Sequence, residues 1–420
     1  MNRSWHHLNI WLLAVALTAT ATNFEEAEVG RYTLPDPLVC LDGTPVKTPA
    51  LWWEKRRPEI LIQYRRDIFG YCSTPGTNVT FNVWEQATNA LNGRAVRKQV
   101  ELNLSGTPDG PLVHLLLYTP AGRPAAPTFL CLSFNGNYQA IDDPAIAIFP
   151  EWNNKTRQLA MPANPVRGGG SRNWKITETL ARGYGIALLD YQEIEPDLPH
   201  GLGFKYGLHK IYPTSPTNDW GAISAWAWGA SRALDYLLTD PAVDKTKVIL
   251  FGHSRLGKTA LWAGAQDTRF AAVIANGSGE MGAALSRRNY GESVDDVCKH
   301  FPYWMSAHFQ QYANHWNDLP VDAHELITLI APRPLFLNSG SEDLWADPRG
   351  EFLAARAASP VYALLGQTGL TETNFPDLEQ PLKHTIWLNC HRGKHDVLPS
   401  DWDKFLDFAD AHFSQTAGQK

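Results

Sequence analysis

The sequence predicts an α/β fold in which helices cover both faces of a mostly parallel central sheet. Short apolar, β-branched runs alternate with helical patterns over most of the chain beyond about residue 112. Such alternation is typical of parallel strands joined by helices. With 420 residues, the chain is also long enough to bury one large domain of this kind.

The elements are predicted in order along the chain. A proline-rich, irregular lead extends to about residue 111, and the alternation at 96–104 indicates an edge hairpin within it. Strands are predicted at 112–118, 128–134, 186–191, 247–251, 270–275, 334–338 and 384–388. Helices are predicted at 220–238, with Asp219 as the N-cap, and at about 402–413. The stretch 135–173 is long and rich in Gly, Pro and Asn, so we expect loops that line a site.

The N-terminus has the pattern of a secretory signal peptide. Arg3 is followed by an apolar stretch at 8–17 and by the small residues at 19–21. We therefore predict a signal peptide at 1–21, a single α/β domain with an irregular lead at 22–420, and a secreted or periplasmic protein. No segment approaches about 20 continuous apolar residues, so no membrane partner is expected.

Composition excludes several classes of partner. A formal net charge of -6 does not favour binding to nucleic acid. The five cysteines form no CxxC pair, which argues against a structural zinc site, and a bridge between Cys40 and Cys72 stays open. We expect a monomer in which most of the 16 tryptophans fill the core, although their flat faces also suit sugar rings.

Ser254 is the candidate nucleophile. It lies between glycines in Gly252-His253-Ser254-Arg255-Leu256-Gly257-Lys258, where the apolar run 247–251 ends and a helical pattern begins. A strand-to-helix turn of this kind exposes a serine hydroxyl above a sheet edge, next to the positive end of a helix. The usual pattern is Gly-x-Ser-x-Gly, but here the second glycine comes one residue later. The alternative interpretation is a serine that caps the helix.

A catalytic serine of this kind needs a histidine and a carboxylate, which follow it along the chain as acid and then histidine. Asp343 lies a few residues after the strand 334–338, in a Ser/Gly loop that could turn its carboxylate inward. Glu342 is its local competitor, and the alternative interpretation is an Asp that stabilises its own turn.

His395 is the candidate base. It lies just past the predicted strand 384–388 and before the last helix, at the sheet edge where the serine is expected. His391 and His384 are close alternatives, and we place His384 inside the strand.

Together these motifs resemble the glucuronoyl esterases of carbohydrate esterase family fifteen, especially the bacterial members. The resemblance rests on residues 252–258, 282–288, the loop with Asp343 and Trp345, and Gly393-Lys394-His395. It implies an α/β-hydrolase fold and a secreted serine esterase without metal or cofactor. The implied substrate is the ester between 4-O-methyl-glucuronic acid on glucuronoxylan and an alcohol of lignin.

The resemblance also implies a role for each site residue. Ser254 would be the nucleophile and His395 the base, while Arg255 would offer its backbone N–H and guanidinium to the oxyanion. Binding of the hydroxyls and ring of the glucuronoyl group is implied for Lys258, Glu292 and Trp345.

The sequence departs from the family pattern at two positions. Gly277 stands where many members carry the catalytic glutamate, so we assign the acid to Asp343, the second acid position found in the family. Glu280 is the less favoured substitute. His253 stands where fungal members carry a cysteine, so their disulfide beside the site cannot form here.

Two other functions stay open. An acetyl xylan esterase would leave Arg255, Lys258 and Glu292 without a uronate to bind. A catalytically inactive sugar-binding homologue is suggested by the missing glutamate and the many tryptophans.

Overall fold

A computed structural model describes residues 22–414 except 74–77, 109, 124, 154 and 216–218. The predicted signal peptide at 1–21 lies outside the described residues. Within the described part of the chain, no helix is both long and apolar enough to cross a membrane.

A ten-stranded sheet forms the centre of the molecule, in the order β1-β2-β3-β7-β4-β8-β9-β10-β12-β11. The strands from β7 to β12 in this order pair in parallel, and the pairs at both margins are antiparallel. A separate hairpin is formed by β5 and β6. The strands are β1 (Thr80–Asn89), β2 (Ala95–Asn103), β3 (Leu112–Pro120), β4 (Ala126–Ser133), β5 (Glu151–Asn153), β6 (Gln158–Ala160), β7 (Gly185–Asp190), β8 (Val243–His253), β9 (Ala272–Asn276), β10 (Leu335–Gly340), β11 (Leu382–Lys383) and β12 (Ile386–His391).

Helices connect the strands and cover the sheet. They are α1 (Pro49–Leu51), α2 (Arg57–Gln63), α3 (Ala90–Gly93), α4 (Ile176–Ala181), α5 (Tyr191–Ile194), α6 (Leu208–Ile211), α7 (Ala222–Leu237), α8 (Arg255–Gln266), α9 (Val294–His300), α10 (Ala323–Thr328), α11 (Pro348–Leu364) and α12 (Pro399–Phe413). Short 3-10 segments, including Pro199–Lys205, fill several connections.

The core has two layers, one on each face of the sheet. Along β8, Leu250 faces the layer built on α7 and α8, whereas Ile249 and Phe251 face the layer built on α12. This alternation follows from the period of two in a strand, and burial on both faces explains why β8 is apolar along its centre. The predicted fold class is confirmed.

The structure corrects several local predictions. Asp219 does not cap α7, whose N-cap is Gly221; instead the Asp219 carboxylate accepts a hydrogen bond from the backbone N–H of Ala307. The lead is less irregular than expected, because helical residues 49–68 and the edge strand β1 lie in it. The predicted edge hairpin is present: β2 pairs antiparallel with the edge strand β1, which precedes it in the chain. Cys40 is a buried free thiol, so no bridge to Cys72 forms.

Candidate active site

Ser254 occupies a sharp turn between β8 and α8. Its φ of 59° and ψ of -128° lie outside the regions that non-glycine residues normally adopt. A Cβ on Gly252 would lie 1.9 Å from the carbonyl oxygen of Leu256, so only glycine fits there. The backbone N–H of Gly257 donates to the Ser254 carbonyl at 2.8 Å, within the first turn of α8. The turn therefore holds Ser254 at the positive end of a twelve-residue helix.

His395 and Asp343 are paired, although they are 52 positions apart in the chain. The His395 Nδ1 lies 2.5 Å from the Asp343 Oδ2. Asp343 is 6 % exposed, and it follows β10 as predicted. A Cβ at Gly277 would lie 3.1 Å from the His395 ring and 3.5 Å from the Asp343 Oδ2. A side chain at position 277 would thus be directed at the same imidazole.

The competing acids lie elsewhere. Glu280 is buried and accepts a hydrogen bond from the Ser286 hydroxyl at 2.5 Å. Burial raises the pKa of Glu280 well above its ordinary value. Glu342 is exposed beside Asp343.

The competing histidines also have other partners. His391 is fully buried, and its Nδ1 lies 3.1 Å from the Asp401 carboxylate. His384 lies between β11 and β12 rather than inside a strand, and its Nε2 lies 2.9 Å from Glu372.

Asn276 connects the serine turn with the histidine loop. Its carbonyl accepts from the Ser254 N–H at 2.8 Å, and its side-chain amide donates to the Asp396 carbonyl at 2.9 Å. It is the first of three buried asparagines that face each other across β9, β10 and β12. Asn338 Nδ2 donates to Asn276 Oδ1 at 2.5 Å, and Asn389 Nδ2 donates to Asn338 Oδ1 at 2.7 Å. Through Asn276, this asparagine ladder is hydrogen-bonded to both the serine turn and the histidine loop.

His253 packs against the base. The His253 and His395 rings lie 4.5 Å apart, centroid to centroid, with 36° between their planes. Burial, together with the nearby His395, lowers the pKa of His253 to about 3. His253 is therefore neutral at ordinary pH, so it adds no positive charge beside an imidazole that has to accept a proton.

Arg255 is held by a buried carboxylate that the sequence did not suggest. Its Nη1 donates to the Asp197 Oδ2, and its guanidinium lies over the Trp304 ring at 4.7 Å. Asp197 also accepts from the hydroxyls of Tyr191 and Tyr303, both at 2.8 Å, and from the Trp304 Nε1 at 2.9 Å. Among the described residues the buried Arg255 Nε has no hydrogen-bond partner.

Lys258, Glu292 and Trp345, the residues that the resemblance assigns to the uronate, are connected by hydrogen bonds. The Lys258 Nζ donates to the Glu292 Oε2 and to the Ser278 carbonyl, both at 2.9 Å, and both charged side chains are buried. The Glu292 N–H donates to the Trp345 carbonyl at 2.8 Å, whereas the Trp345 side chain is 40 % exposed. The cluster thus combines a charged pair suited to sugar hydroxyls with an indole suited to a sugar ring.

Sequence reasoning missed Asp197, His253 as a neighbour of the base, and the asparagine ladder. Asp197 follows the strand β7, so its place after a strand at the serine edge is a signal that could have found it. The ladder carries a weaker signal, because each asparagine falls near the carboxyl end of a predicted strand.

The parallel sheet, the strained serine turn and the acid–histidine pair at one sheet edge define a hydrolase of the α/β-hydrolase fold. A model of the family described as glucuronyl esterase, fungi, matches residues 170–366. A protein named carbohydrate esterase MZ0003, from an unknown prokaryotic organism, is 42% identical over an alignment of 399 residues, and the match covers 93% of this chain and 92% of that protein.

A glucuronoyl esterase structure from Solibacter usitatus is also 42% identical, with a TM-score of 0.89 over 93% of this chain and 100% of that chain. The 4-O-methyl-glucuronoyl methylesterase of Schizophyllum commune is 28% identical over 86% of this chain and 82% of that protein. The chain belongs to the glucuronoyl esterases, carbohydrate esterase family fifteen, and it is a carboxylic ester hydrolase.

Proposed function

We propose that this enzyme hydrolyses the ester between 4-O-methyl-glucuronic acid of glucuronoxylan and lignin alcohols, with Ser254 as nucleophile. The observation that carries the proposal is the contact of Asp343 with His395 at the edge that also holds Ser254. The relatives named as methylesterases and glucuronoyl esterases support the acyl group.

In the first half-reaction the Ser254 oxygen attacks the ester carbonyl carbon while the His395 Nε2 accepts the hydroxyl proton. Asp343 holds the Nδ1–H tautomer and stabilises the imidazolium that forms. The tetrahedral intermediate then collapses, the bond to the alcohol oxygen breaks, and His395 returns the proton to the departing alcohol. A glucuronoyl-enzyme ester remains on Ser254.

In the second half-reaction water gives a proton to His395 and attacks the same carbonyl; the bond to the Ser254 oxygen then breaks, His395 returns the proton to that oxygen, and glucuronate is released. Arg255 stabilises the oxyanion in both halves through its backbone N–H and guanidinium, since a fixed cation beside a developing alkoxide is effective in a site of limited water access. Lys258, Glu292 and Trp345 bind the uronate ring.

The test compares the purified protein on methyl 4-O-methyl-glucuronate and on acetylated xylan. We expect hydrolysis of the glucuronate ester and little release of acetate. Ser254→Ala should abolish the glucuronate activity, whereas Ser400→Ala, at an exposed position on α12, should not. Preferred release of acetate would assign an acetyl xylan esterase, and hydrolysis unaffected by Ser254→Ala would assign an inactive sugar-binding homologue.

We also propose that the enzyme acts outside the cytoplasm, as a monomer. The pattern of residues 1–21 supports export, and a polymeric substrate of the plant cell wall requires it. Fractionation of cells that express the full chain, followed by size-exclusion chromatography with light scattering, tests both statements. Retention in the cytoplasm would overturn the proposed location, and the mass of a dimer would overturn the proposed monomer.

A further inference from the structure

Residues 22–28, which directly follow the predicted signal peptide, lie against the turn before Glu292. The Asn23 carbonyl accepts a hydrogen bond from the Gly291 N–H at 2.8 Å, and Gly291 directly precedes Glu292. The proposed uronate subsite consists of Lys258, Glu292 and Trp345. The segment 22–28 is therefore in direct contact with a turn that carries one residue of this subsite.

Glu26 binds the same turn through a paired salt bridge. Its Oε1 accepts from the Arg288 Nη1 at 3.1 Å, and its Oε2 accepts from the Arg288 Nη2 at 2.7 Å. Two parallel hydrogen bonds of this kind fix the relative orientation of the two groups as well as their distance. The Arg288 guanidinium also holds the pKa of Glu26 below its ordinary value, so the carboxylate is charged at ordinary pH.

Arg288 connects this turn with the turn that carries Trp345. Its Nε donates to the Asp347 Oδ2 at 2.7 Å, and both side chains are buried. Asp347 lies two residues after Trp345 and caps α11 by accepting from the Gly350 N–H at 2.9 Å. Arg288 thus bridges a carboxylate of the N-terminal segment and the carboxylate at the end of the Trp345 turn.

The backbones of the two turns adopt unusual conformations. Asn289 and Asp347 have φ values of 46° and 48°, in the left-handed region that non-glycine residues seldom adopt. Gly291 has a φ of +67°, and a Cβ there would lie 2.4 Å from the Leu344 carbonyl oxygen, so the turns approach each other closely. Such conformations persist only where surrounding contacts fix them. The contacts of the N-terminal segment are therefore suited to holding both turns in place.

Glu26 is placed so that its loss should spare the fold. Its side chain is 45 % exposed, and Asp347 would still pair with Arg288 in its absence. Partly exposed ion pairs contribute little to global stability. Removal of Glu26 should therefore affect the orientation of Arg288, and of the turns that Arg288 joins, more than the stability of the protein.

We infer that residues 22–28 form a clasp that positions the uronate subsite. In this clasp Glu26 is a positioning residue for Glu292 and Trp345, because it acts on them through Arg288. The inference rests on the proposed function, since it takes these two side chains to bind the glucuronoyl ring. The contacts of the clasp are with the uronate turns rather than with the catalytic serine and histidine. The clasp should therefore affect binding of the acyl group more than the chemical step.

The test measures kcat and KM on methyl 4-O-methyl-glucuronate. Glu26→Gln keeps the shape of the side chain and removes its charge, so the paired contact with Arg288 weakens. We expect KM to rise about five-fold and kcat to stay within about two-fold, because a misplaced subsite binds the ground state and the transition state less well to the same extent.

Phe24→Ala tests the clasp through a different contact. The Phe24 ring meets the Tyr290 ring edge to face, with their centroids 6.4 Å apart, and Phe24 is an exposed side chain. Its removal takes away packing on the turn before Glu292 without a change of charge. We expect KM to rise in this variant as well, again with kcat nearly unchanged.

Glu28→Gln is the matched control, because Glu28 is an exposed acid on the same segment and the charge change is the same. Its KM should equal that of the wild type. A lower Tm in Glu26→Gln with unchanged KM would show a structural role alone and would overturn the inference. A fall in kcat at unchanged KM, or an equal rise of KM in Glu28→Gln, would also overturn it.

The same measurements separate this inference from the proposed function. If the wild type hydrolyses the glucuronate ester and both clasp variants match it, the inference fails and the proposed function stands. If the wild type hydrolyses no glucuronate ester, the proposed function fails and takes the inference with it.

Discussion

The Nδ1 of His395 lies 2.5 Å from the Oδ2 of Asp343, and a Cβ at Gly277 would point at the same imidazole. The base can therefore be approached by an acid from two neighbouring loops, one after β9 and one after β10. In this chain the loop after β9 carries glycine, and the carboxylate comes from the loop after β10.

Asp343→Asn should lower kcat about 10⁴-fold, because an amide at this position holds the imidazole in the wrong tautomer. Glu280→Gln should leave kcat within about two-fold, since the Glu280 carboxylate is bonded to Ser286 whereas His395 is bonded to Asp343. Steady-state kinetics on a glucuronate methyl ester checks both. A large loss in Glu280→Gln with a small one in Asp343→Asn would move the acid to Glu280.

Gly277→Ala should lower kcat with little change in KM. The added methyl group would lie 3.1 Å from the His395 ring, so the imidazole has to shift away from Asp343. Gly277 also has a φ of +52°, which by itself costs about 1–2 kcal/mol for alanine.

Gly366→Ala separates the two effects. Gly366 has a φ of +78° but no atom within 4 Å of the added Cβ, so it shares the backbone penalty and lacks the contact. Both variants should lose similar thermal stability, measured by calorimetry, and only Gly277→Ala should lose activity. Equal activity in the two variants would show that the imidazole tolerates the methyl group.

Asp197→Asn should lower kcat about 10²-fold, because Arg255 loses the charge that fixes its guanidinium beside the oxyanion. Tyr303→Phe is the control, since it removes one hydrogen bond to the same carboxylate and keeps the charge. Its kcat should fall less than about five-fold. A rise in KM with kcat unchanged in Asp197→Asn would mean that Arg255 binds the ground state and transition state alike.

The sequence predicted best those elements whose burial in the fold is visible in the local residue pattern. The strands β7, β8 and β10 are buried on both faces, so a short apolar run is enough to find them. The turn at Ser254 was predictable for a similar reason, because glycines mark a backbone that other residues cannot adopt.

The sequence did not reveal features that depend on distant contacts. Asp197 binds Arg255 across 58 positions; its place after β7 marks the sheet edge, but nothing in the local sequence identifies Arg255 as its partner. The asparagine ladder depends on strand register, which a single sequence does not specify. Asp219 shows the converse: its local pattern favours a helix cap, but a contact with Ala307 takes its carboxylate away from the helix.

Glu351 is a buried acid directly behind the site. It is 1 % exposed, and its Oε1 accepts from the Ser278 hydroxyl and the Gly279 N–H, both at 3.0 Å. Its Oε2 is buried with no hydrogen-bond partner among the described residues. Burial, with the nearby charges of Asp343 and Asp347, raises the pKa of Glu351 to about 8.

Glu351→Gln should weaken the pH dependence of stability between about pH 4.5 and 8. The folded state holds a proton on Glu351 that the unfolded state releases at its ordinary pKa of 4.5, so the wild type loses stability as pH rises through this window. At about 1.4 kcal/mol per unit of pKa, the loss amounts to a few kcal/mol. Glutamine keeps the acceptor for Ser278 and does not ionise.

Calorimetry at pH 5, 6.5 and 8 checks this prediction. The Tm of Glu351→Gln should exceed that of the wild type by a margin that grows with pH, whereas Glu54→Gln, at an exposed position, should follow the wild type throughout. Parallel Tm curves for Glu351→Gln and the wild type would mean that Glu351 is ionised in the fold. Its unpartnered oxygen would then have to be bound by a donor such as buried water.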